Sequence, residues 1–429
     1  MSVRVYDEVS PLRRVLVHRP GGEVARMTQD ELHELLFDDI LSADVAGSEH
    51  DLLSQILASE GAEVLELCDV LRDAVARAPA DAREALVACV ASSEGRPDLT
   101  GPLGELSDAQ LAAALIEGLR WSDLPGAPLT AARLHARHDP NDRPLAPLPN
   151  LMFTRDPCIS VYDQVVLGRM ATQARAREPQ VVQFALTYGL DVPVRFLFDQ
   201  EVGGHPRLNG LEGGDLLVVD RRFLLIGCSE RTTAATVERL ARDVLFPAFP
   251  ELESVYPVLM PAKRSVMHLD TVLTQIDRDL FLGHAPMIVH GEGIEVLQLR
   301  RGTPPKVLTD ATVLDVLRAE LGDAVTVVPC GGHDPVHQQR EQWTDGANAV
   351  CLGPGRIVLY ARNARTIALL EREHGFTRVA LSEELDPEVR QARLVLAREH
   401  ARVVYTFTGS ELSRARGGAR CMTMPLRRG

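Results

Sequence analysis

Four segments of the chain alternate apolar and polar positions in the same way. Each reads as two short β-runs joined by a tight polar turn, and the turn letters DQ, DRR, DRD and GPG suit hairpins. The pattern therefore predicts four β-hairpins, at 158–170, 215–227, 270–285 and 348–362.

Helical periodicity follows three of these hairpins. Apolar residues recur at helical spacing over 231–246, 310–322 and 363–375. After each helix comes another short apolar run: SVYPVLMP, AVTVVPC or TRVALS. The predicted unit is strand, strand, helix, strand, and it repeats along the chain.

A fifth unit is split between the two ends of the sequence. We expect the strand CMTMPL to pair with LRRVLVHRP (12–20), and helices at 30–42 and 48–60 with the strand AEVLEL to complete the unit. Five such units in a ring make a five-bladed α/β propeller, an α/β fold without loose edge strands. The first strand of each unit would then converge on one central pocket, bringing together Asp156, Asp215, Asp270, Asn348 and Cys421.

One region departs from this unit. Residues 69–125 carry only helical patterns, with Ser107 as a predicted N-cap. We expect a helical module at 69–125 inserted into a catalytic α/β propeller domain formed by 1–68 and 126–429. The Pro-rich stretch 135–150 has no periodicity and is predicted to be the loop that returns to the propeller.

Composition narrows the class of partner. The 429 residues are 45% hydrophobic but only 4% aromatic, so Leu, Val and Ala must fill the core. The net charge of −14 argues against nucleic acid or an anionic membrane as partner. It suits a cationic substrate, although solubility alone is the simpler explanation.

The cysteine pattern indicates a reducing compartment. There are seven cysteines and no CxxC pair, and most lie in apolar runs. No apolar run approaches the roughly 18 residues that span a bilayer, and MSVRVYDEVS lacks the apolar stretch of a signal peptide. We therefore expect a cytoplasmic protein.

Four short motifs offer acids and a histidine. In MHLDT, His268 and Asp270 are two residues apart, so in a strand both side chains would face one pocket. In FTRDP, Pro157 keeps Asp156 out of helical conformation. Taken singly, a structural His–Asp pair and a turn acid are the simpler interpretations. The third motif, LEGGD, places Glu212 near Asp215, two acids that are costly to bury without a cation.

The fourth motif, RGGARC, carries Cys421. Arg416 and Arg420 lie just upstream, and nearby positive charge lowers the pKa of a thiol. A disordered basic tail is excluded because CMTMPL resumes a β-pattern. Together these groups suit attack of a thiolate on a guanidinium held by carboxylates, with His268 as proton donor and water cleaving the covalent thiouronium.

A series of short motifs runs along the chain: HRPGGE, ELLFDD, PNLMFTRDP, EGGD, GCSERT, MHLDT, REQWTDGAN, GSEL and RGGARCM. Their order resembles that in arginine deiminases, members of the guanidino-group-modifying superfamily with a five-bladed α/β propeller. The resemblance covers essentially the whole chain. It implies hydrolysis of L-arginine to citrulline and ammonia, without a metal or organic cofactor, in a chain that forms homo-dimers or tetramers.

The resemblance also assigns roles. It implies Cys421 as nucleophile, His268 as acid and base, Glu212 as support for the histidine, and Asp156 and Asp270 as the pair that grips the guanidinium. It further implies that the amino-acid end of the substrate is held at the positions Asn150, Phe153, Arg175, Arg231 and Arg416, with Leu36 at the pocket mouth.

Some residues depart from the family pattern. Ile40 follows FDD where an aromatic residue is frequent, Ala347 replaces an asparagine, and Arg420 stands where small residues or histidine are common. Three alternatives stay open: another guanidine substrate, amidino transfer to an amine, and a non-catalytic arginine-binding protein. The stretch HDPVH (333–337) could suggest a metal, but Pro335 disfavours a helical histidine pair, so a loop is predicted there.

Overall fold

The computed structural model describes residues 3–124, 134–135, 139, 142–197 and 209–429, so the predicted loop 135–150 lies partly outside the described residues. The described chain has a mixed α/β fold. Its strands are β1 Leu12–Val17, β2 Glu63–Glu66, β3 Cys158–Val161, β4 Gln164–Leu167, β5 Phe196–Leu197, β6 Leu216–Val218, β7 Phe223–Cys228, β8 Ser254–Leu259, β9 Leu273–Gln275, β10 Leu280–Gly283, β11 Glu295–Arg300, β12 Lys306–Val307, β13 Thr326–Pro329, β14 Val350–Gly353, β15 Arg356–Tyr360, β16 Thr377–Leu381, β17 Val403–Phe407 and β18 Met424–Arg428.

The strands form five sheets, with the orders β18-β1-β2, β3-β4-β5, β12-β11-β8-β7-β6, β13-β10-β9 and β14-β15-β17-β16. Each sheet holds an antiparallel pair whose inner strand also has a parallel neighbour. The four predicted hairpins are confirmed as β3–β4, β6–β7, β9–β10 and β14–β15.

The fifth unit is indeed divided between distant parts of the chain. Strand β18 pairs antiparallel with β1, with Leu12 opposite Arg428 and Leu16 opposite Met424. Strand β2 pairs parallel with the other edge of β1. The predicted pairing of CMTMPL with LRRVLVHRP is therefore confirmed, and β1 has no free edge.

The helices cross between sheet strands or pack on the sheets. The predicted helices after the second, third and fourth hairpins are confirmed, and a helix at Glu178–Tyr188 also follows the first. The α-helices are Gly22–Ala25, Ala43–Ser59, Leu67–Arg77, Ala80–Ser93, Thr100–Gly104, Asp108–Glu117, Glu178–Tyr188, Ala234–Arg239, Phe246–Ala248, Ala285–Ile288, Val313–Leu321, Pro335–Trp343, Ala364–His374 and Pro387–Leu396.

Between β2 and β3 the regular elements of the described residues are helical. The predicted N-cap is confirmed: Ser107 Oγ accepts from the backbone N–H of Gln110, whose side-chain oxygen accepts in return from Ser107. These helices share one apolar cluster with the helix Glu178–Tyr188 and with Leu16 of β1. The division into an inserted module and a catalytic domain stays a prediction.

Two predictions of local structure were wrong. No helix spans 30–42; a 3₁₀ turn at Gln29–Glu31 is followed by Leu36 at φ +68°, which a helix cannot include. The stretch HDPVH, predicted as a loop, opens the helix Pro335–Trp343, capped by Asp334, because proline fits the first helical position.

Apolar residues of the sheets and helices form five buried clusters in which Leu, Val and Ala predominate. None of the helices in the described residues is both long and apolar enough to cross a membrane.

We expect Leu16→Ala to lower the free energy of unfolding by about 2–5 kcal/mol, because Leu16 is fully buried on the central strand of its sheet. Urea unfolding followed by circular dichroism measures this change. Arg13→Ala, at an exposed position of the same strand, is the control and should stay within about 0.5 kcal/mol of the original chain. Equal losses in both variants would contradict the assigned burial.

Candidate active site

Five segments of the chain meet at one place. Each of them leads into the first strand of the antiparallel pair in one of the sheets. They carry Asp156 before β3, Glu212 before β6, Asp270 before β9, Asn348 before β14 and Cys421 before β18. His268 and Asp270 lie at a 3₁₀ turn rather than in a strand, so alternation along a strand is the wrong reason for their proximity. The shared position of the five segments brings their polar side chains together.

The thiol of Cys421 faces Asp270. Sγ lies 3.7 Å and 3.9 Å from the two carboxylate oxygens, and the side chain is buried. Asn348 fixes the backbone around it: Oδ1 accepts from the N–H groups of Arg420 and Cys421, while Nδ2 donates to the carbonyl of Asp270. The amide therefore holds the cysteine and the aspartate in register.

Burial raises the pKa of the Cys421 thiol well above its usual range, and the carboxylates of Asp270, Asp156 and Asp345 add to this effect. Burial and these carboxylates therefore outweigh the nearby arginines, which were expected to lower the thiol pKa. The guanidinium of Arg420 bonds Asp270 Oδ2 at 2.8 Å and Glu8 Oε1 at 2.9 Å. In this arrangement the thiol is protonated at neutral pH.

His268 forms a buried ion pair with Glu212. Its Nε2 lies 2.9 Å from Glu212 Oε2, and its Nδ1 lies 3.9 Å from Asp156 Oδ1. Burial lowers the pKa of His268, but Asp156, the hydrogen bond to Glu212 and Asp215 outweigh it and raise the pKa to about 9. Burial raises the pKa of Glu212, but Arg231, His268 and Arg175 outweigh it and lower the pKa to about 2.

Asp156 is held by a backbone N–H and an arginine. Oδ1 accepts from Gly214 N at 2.9 Å and Oδ2 from Arg175 Nη1 at 2.9 Å. A Cβ at Gly214 would lie 2.6 Å from Nδ1 of His268, so glycine is what allows this close approach. Arg175 also donates Nε and Nη2 to Glu178, an acid whose pKa burial raises to about 7.

A narrow cavity of about 20 Å³, room for roughly one water molecule, lies over these groups. Its wall includes Asp156, His268 and Cys421, and all six positions that the resemblance assigned to the amino-acid end or the mouth. Three further residues, Arg264, Met267 and Ala415, complete it. The lining residues are Leu36, Asn150, Phe153, Asp156, Arg175, Arg231, Arg264, Met267, His268, Ala415, Arg416 and Cys421. Glu212 and Asp270 are fully buried beneath it and contact His268 and Cys421.

Two backbone positions in the left-handed region shape the mouth of the cavity. Leu36 has φ +68°, and its carbonyl accepts from Arg264 Nη2 at 2.8 Å. Arg416 has φ +67°; its guanidinium carbon lies 3.4 Å from the ring centroid of Trp343, and Nη1 donates to the Trp343 carbonyl at 2.6 Å. These contacts at the mouth thus join four distant segments of the chain.

Sequence reasoning placed two residues in the pocket that lie behind it. Asp215 is fully buried and accepts from Ser229 Oγ and Leu269 N, and burial raises its pKa to about 7. Asn348 orders the loop of Cys421 from behind. Arg264 and Glu178 were not predicted, because nothing in their local sequence distinguishes them from charged surface residues.

Asp156, Glu212 and His268 place donor atoms within 4.8 Å of one another, a spacing that a metal ion could use. The electrostatics do not fit a divalent cation. Arg175 lies 2.9 Å from Asp156 and 3.7 Å from Glu212, and Arg231 lies 3.6 Å from Glu212, so two fixed cations already neutralise these acids.

Comparison with known proteins identifies relatives of this site and fold. A model of the family "arginine deiminase" matches residues 33–428. An arginine deiminase of Treponema denticola is 32% identical over 99% of this chain and 98% of its own length. One from Bacillus cytotoxicus is 33% identical over the same shares of both chains. The match spans the segments that carry the cavity residues.

A solved structure extends the likeness to the fold. An amidinotransferase of saxitoxin biosynthesis from Microseira wollei superimposes with a TM-score of 0.50, over 99% of this chain and 97% of its own, at 13% identity. At that identity the likeness shows a shared fold alone.

We expect Glu212→Gln to lower the pKa of His268 below about 9, because a neutral amide no longer favours the charged imidazole. An NMR titration of the histidine ring signals measures the pKa, with the His268 signal assigned by its absence from His268→Asn.

The matched control is Glu230→Gln, which removes an exposed acid that bonds Arg231 but does not contact His268. It should leave the His268 pKa unchanged. A His268 pKa that stays near 9 without Glu212 would contradict the ion pair described above.

Proposed function

The chain belongs to the arginine deiminase family, and on that premise we propose that it hydrolyses L-arginine to L-citrulline and ammonia through a covalent intermediate on Cys421. One observation carries the proposal. A buried thiol lies 3.7 Å from the carboxylate of Asp270, in a cavity that also presents Asp156 and a histidine with a pKa of about 9.

Asp156 and Asp270 bind the substrate guanidinium in this proposal. Carboxylates accept paired, charge-assisted hydrogen bonds from a planar guanidinium. Both acids are nearly or fully buried, which is costly unless positive charge reaches them. A substrate cation between the two carboxylates adds its positive charge to the charges of Arg175 and Arg420.

Substrate binding also prepares the nucleophile. The same carboxylates contribute to the raised pKa of Cys421, so a guanidinium placed beside them lowers that pKa again. The nearest carboxylate oxygen to Sγ belongs to Asp270 and can accept the thiol proton. Ionisation is thereby tied to an occupied cavity, and the empty enzyme keeps a less reactive thiol.

The reaction then runs in two halves. Sγ forms a bond to the guanidinium carbon, the imidazolium of His268 gives a proton to one terminal nitrogen, and that C–N bond breaks to release ammonia. The neutral imidazole next takes a proton from water, whose oxygen attacks the thiouronium carbon. The C–S bond then breaks, Asp270 returns its proton to Sγ, the hydroxyl proton of the adduct passes to solvent, and citrulline leaves. Glu212 stabilises the imidazolium in both halves.

The amino-acid end of arginine lies toward the mouth of the cavity. We assign it to Asn150, Phe153, Arg175, Arg231 and Arg416, with Leu36 at the entrance. Arg175 is turned to Glu178 and Asp156 in this structure, so Arg231 and Arg416 supply most of the binding to the α-carboxylate.

The architecture that goes with this function is a ring. We propose that the five sheets are the blades of an α/β propeller formed by 1–68 and 126–429, interrupted by a helical module at 69–125. The common position of the five site segments, each before the first strand of a sheet's antiparallel pair, supports this arrangement.

The proposed reaction uses no metal or organic cofactor. We propose a cytoplasmic location, which the seven free thiols support, since a reducing compartment keeps them unpaired. The homo-oligomer implied by the family resemblance stays a prediction.

The direct test is incubation of the purified protein with L-arginine, without added metal, followed by assay of citrulline and ammonia. We expect equal amounts of both, abolished in Cys421→Ala and retained in Cys89→Ala, which removes an exposed thiol. Binding of arginine without either product would instead favour a binding protein or another guanidine. An amidinated amine appearing in place of ammonia would favour a transferase.

We expect Asp270→Asn to lower kcat/KM by about 30- to 150-fold, because the guanidinium loses a charge-assisted partner worth ~2–3 kcal/mol. Steady-state kinetics of citrulline formation measures the change. Asp277→Asn is the matched control: it also loses an arginine partner, Arg402 at 2.9 Å, but lies outside the cavity. An unchanged kcat/KM in Asp270→Asn contradicts the assigned role.

A further inference from the structure

A second cluster of ligand-type side chains lies where strands β1 and β2 end. His18 follows β1, Glu66 ends β2, and Cys68 lies in the first turn of the helix Leu67–Arg77. Parallel pairing of Val17 with Glu66 sets these positions side by side. His18 Nδ1 lies 3.1 Å from Glu66 Oε1 and 3.7 Å from Cys68 Sγ, and the three donor atoms all lie within 4.8 Å of one another.

We propose that this cluster binds a divalent cation of the zinc class through His18 Nδ1, the Glu66 carboxylate and Cys68 Sγ. In a tetrahedral zinc site, with bonds of about 2.1 Å to nitrogen and oxygen and about 2.3 Å to sulfur, the nitrogen lies roughly 3.4 Å from the oxygen and roughly 3.6 Å from the sulfur. The observed 3.1 Å and 3.7 Å are close to both values.

The other nitrogen of His18 is also positioned for this role. Nε2 lies 3.3 Å from Oε1 of Glu23, an ion-pair distance without hydrogen-bond geometry, and this buried oxygen accepts from Gly21 N. A carboxylate on the far nitrogen fixes the tautomer and ring orientation of a metal-binding histidine and increases its basicity. Nδ1 is thereby left to face Glu66 and Cys68.

A further imidazole lies near the cluster. His50, on the helix Ala43–Ser59, is almost fully buried, and its Nε2 has no hydrogen-bond partner among the described residues. Glu66 and His18 are the first of the charges that act on its ring, which places His50 beside the cluster.

Access from solvent is open on one side. Cys68 is exposed and Glu66 is partly exposed, whereas His18 is buried. Three protein ligands with an exposed flank leave the fourth position to water. The cation replaces the proton that His18 shares with Glu66, and the thiol of Cys68 loses its own proton to solvent on binding.

The site is separate from the catalytic cavity. None of its three ligands lines that cavity, so the cation has no part in the proposed reaction. It would instead link the ends of β1 and β2. This link lies next to the turn Gly21–Glu23, which precedes Leu36 of the cavity mouth along the chain.

Cobalt(II) is the probe of choice, because a cobalt–thiolate bond gives a charge-transfer absorption band that a cobalt–carboxylate or cobalt–imidazole bond lacks. We expect chelator-treated protein to develop this band with one equivalent of Co²⁺, and excess Zn²⁺ to abolish it. Cys68→Ser should lose the band, while Cys89→Ser and Cys421→Ser, which remove an exposed thiol and the catalytic one, should retain it.

Three outcomes overturn the proposal: no band in the original chain, a band that persists in Cys68→Ser, or a band that disappears with Cys421→Ser, which would place the metal in the catalytic cavity. A second readout guards against misfolding. Zn²⁺ should raise the melting temperature of the original chain and not that of Cys68→Ser. With no metal added, Cys68→Ser should form citrulline at the rate of the original chain; a lost rate would mean that Cys68 serves the fold rather than a metal.

Discussion

Buried negative charge at one point is the constraint on which the rest of this structure depends. Asp156, Glu212, Asp215 and Asp270 are almost or fully shielded from solvent around one histidine and one thiol. Unpaired carboxylates there would cost several kcal/mol each. Arg175 forms an ion pair with Asp156, and Arg420 forms one with Asp270. Glu212 pairs with both Arg231 and His268. Burial raises the pKa of Asp215 to about 7, although His268 and the hydrogen bonds from Thr232, Ser229 and Leu269 act in the opposite direction.

This charge balance also joins distant parts of the chain. Arg420 bonds both Asp270 and Glu8. Burial raises the pKa of Glu8, but the positive charges of Arg420, Arg155 and Arg428 outweigh burial and lower this pKa to about 2. The arginine next to Cys421 therefore bonds both the acid that faces the thiol and a segment before β1. One side chain thus links the orientation of Asp270 to the segment that precedes the split sheet.

The sequence predicted the hairpins, the split sheet and the residues around the cavity, because these depend on local alternation, turn chemistry and ordered motifs. The pKa of Cys421 could not be predicted from the arginines beside it, because burial and acids from distant segments raise it. It placed Asp215 in the pocket because spacing cannot tell which of two neighbouring acids turns inward. The helix expected at 30–42 failed because Leu36 adopts a left-handed conformation that no pattern of polarity reveals.

The pairing of β1 with β18 has a consequence for synthesis on the ribosome. Glu8 and Arg420 are 412 positions apart, and at roughly 5–20 residues per second Arg420 is synthesised roughly 20–80 s after Glu8. During that interval β1 has an open edge, and the acids of the site lack one of their cations. The nascent chain therefore carries an unpaired strand of the kind that holding chaperones protect, and deimination cannot begin before translation has passed β18.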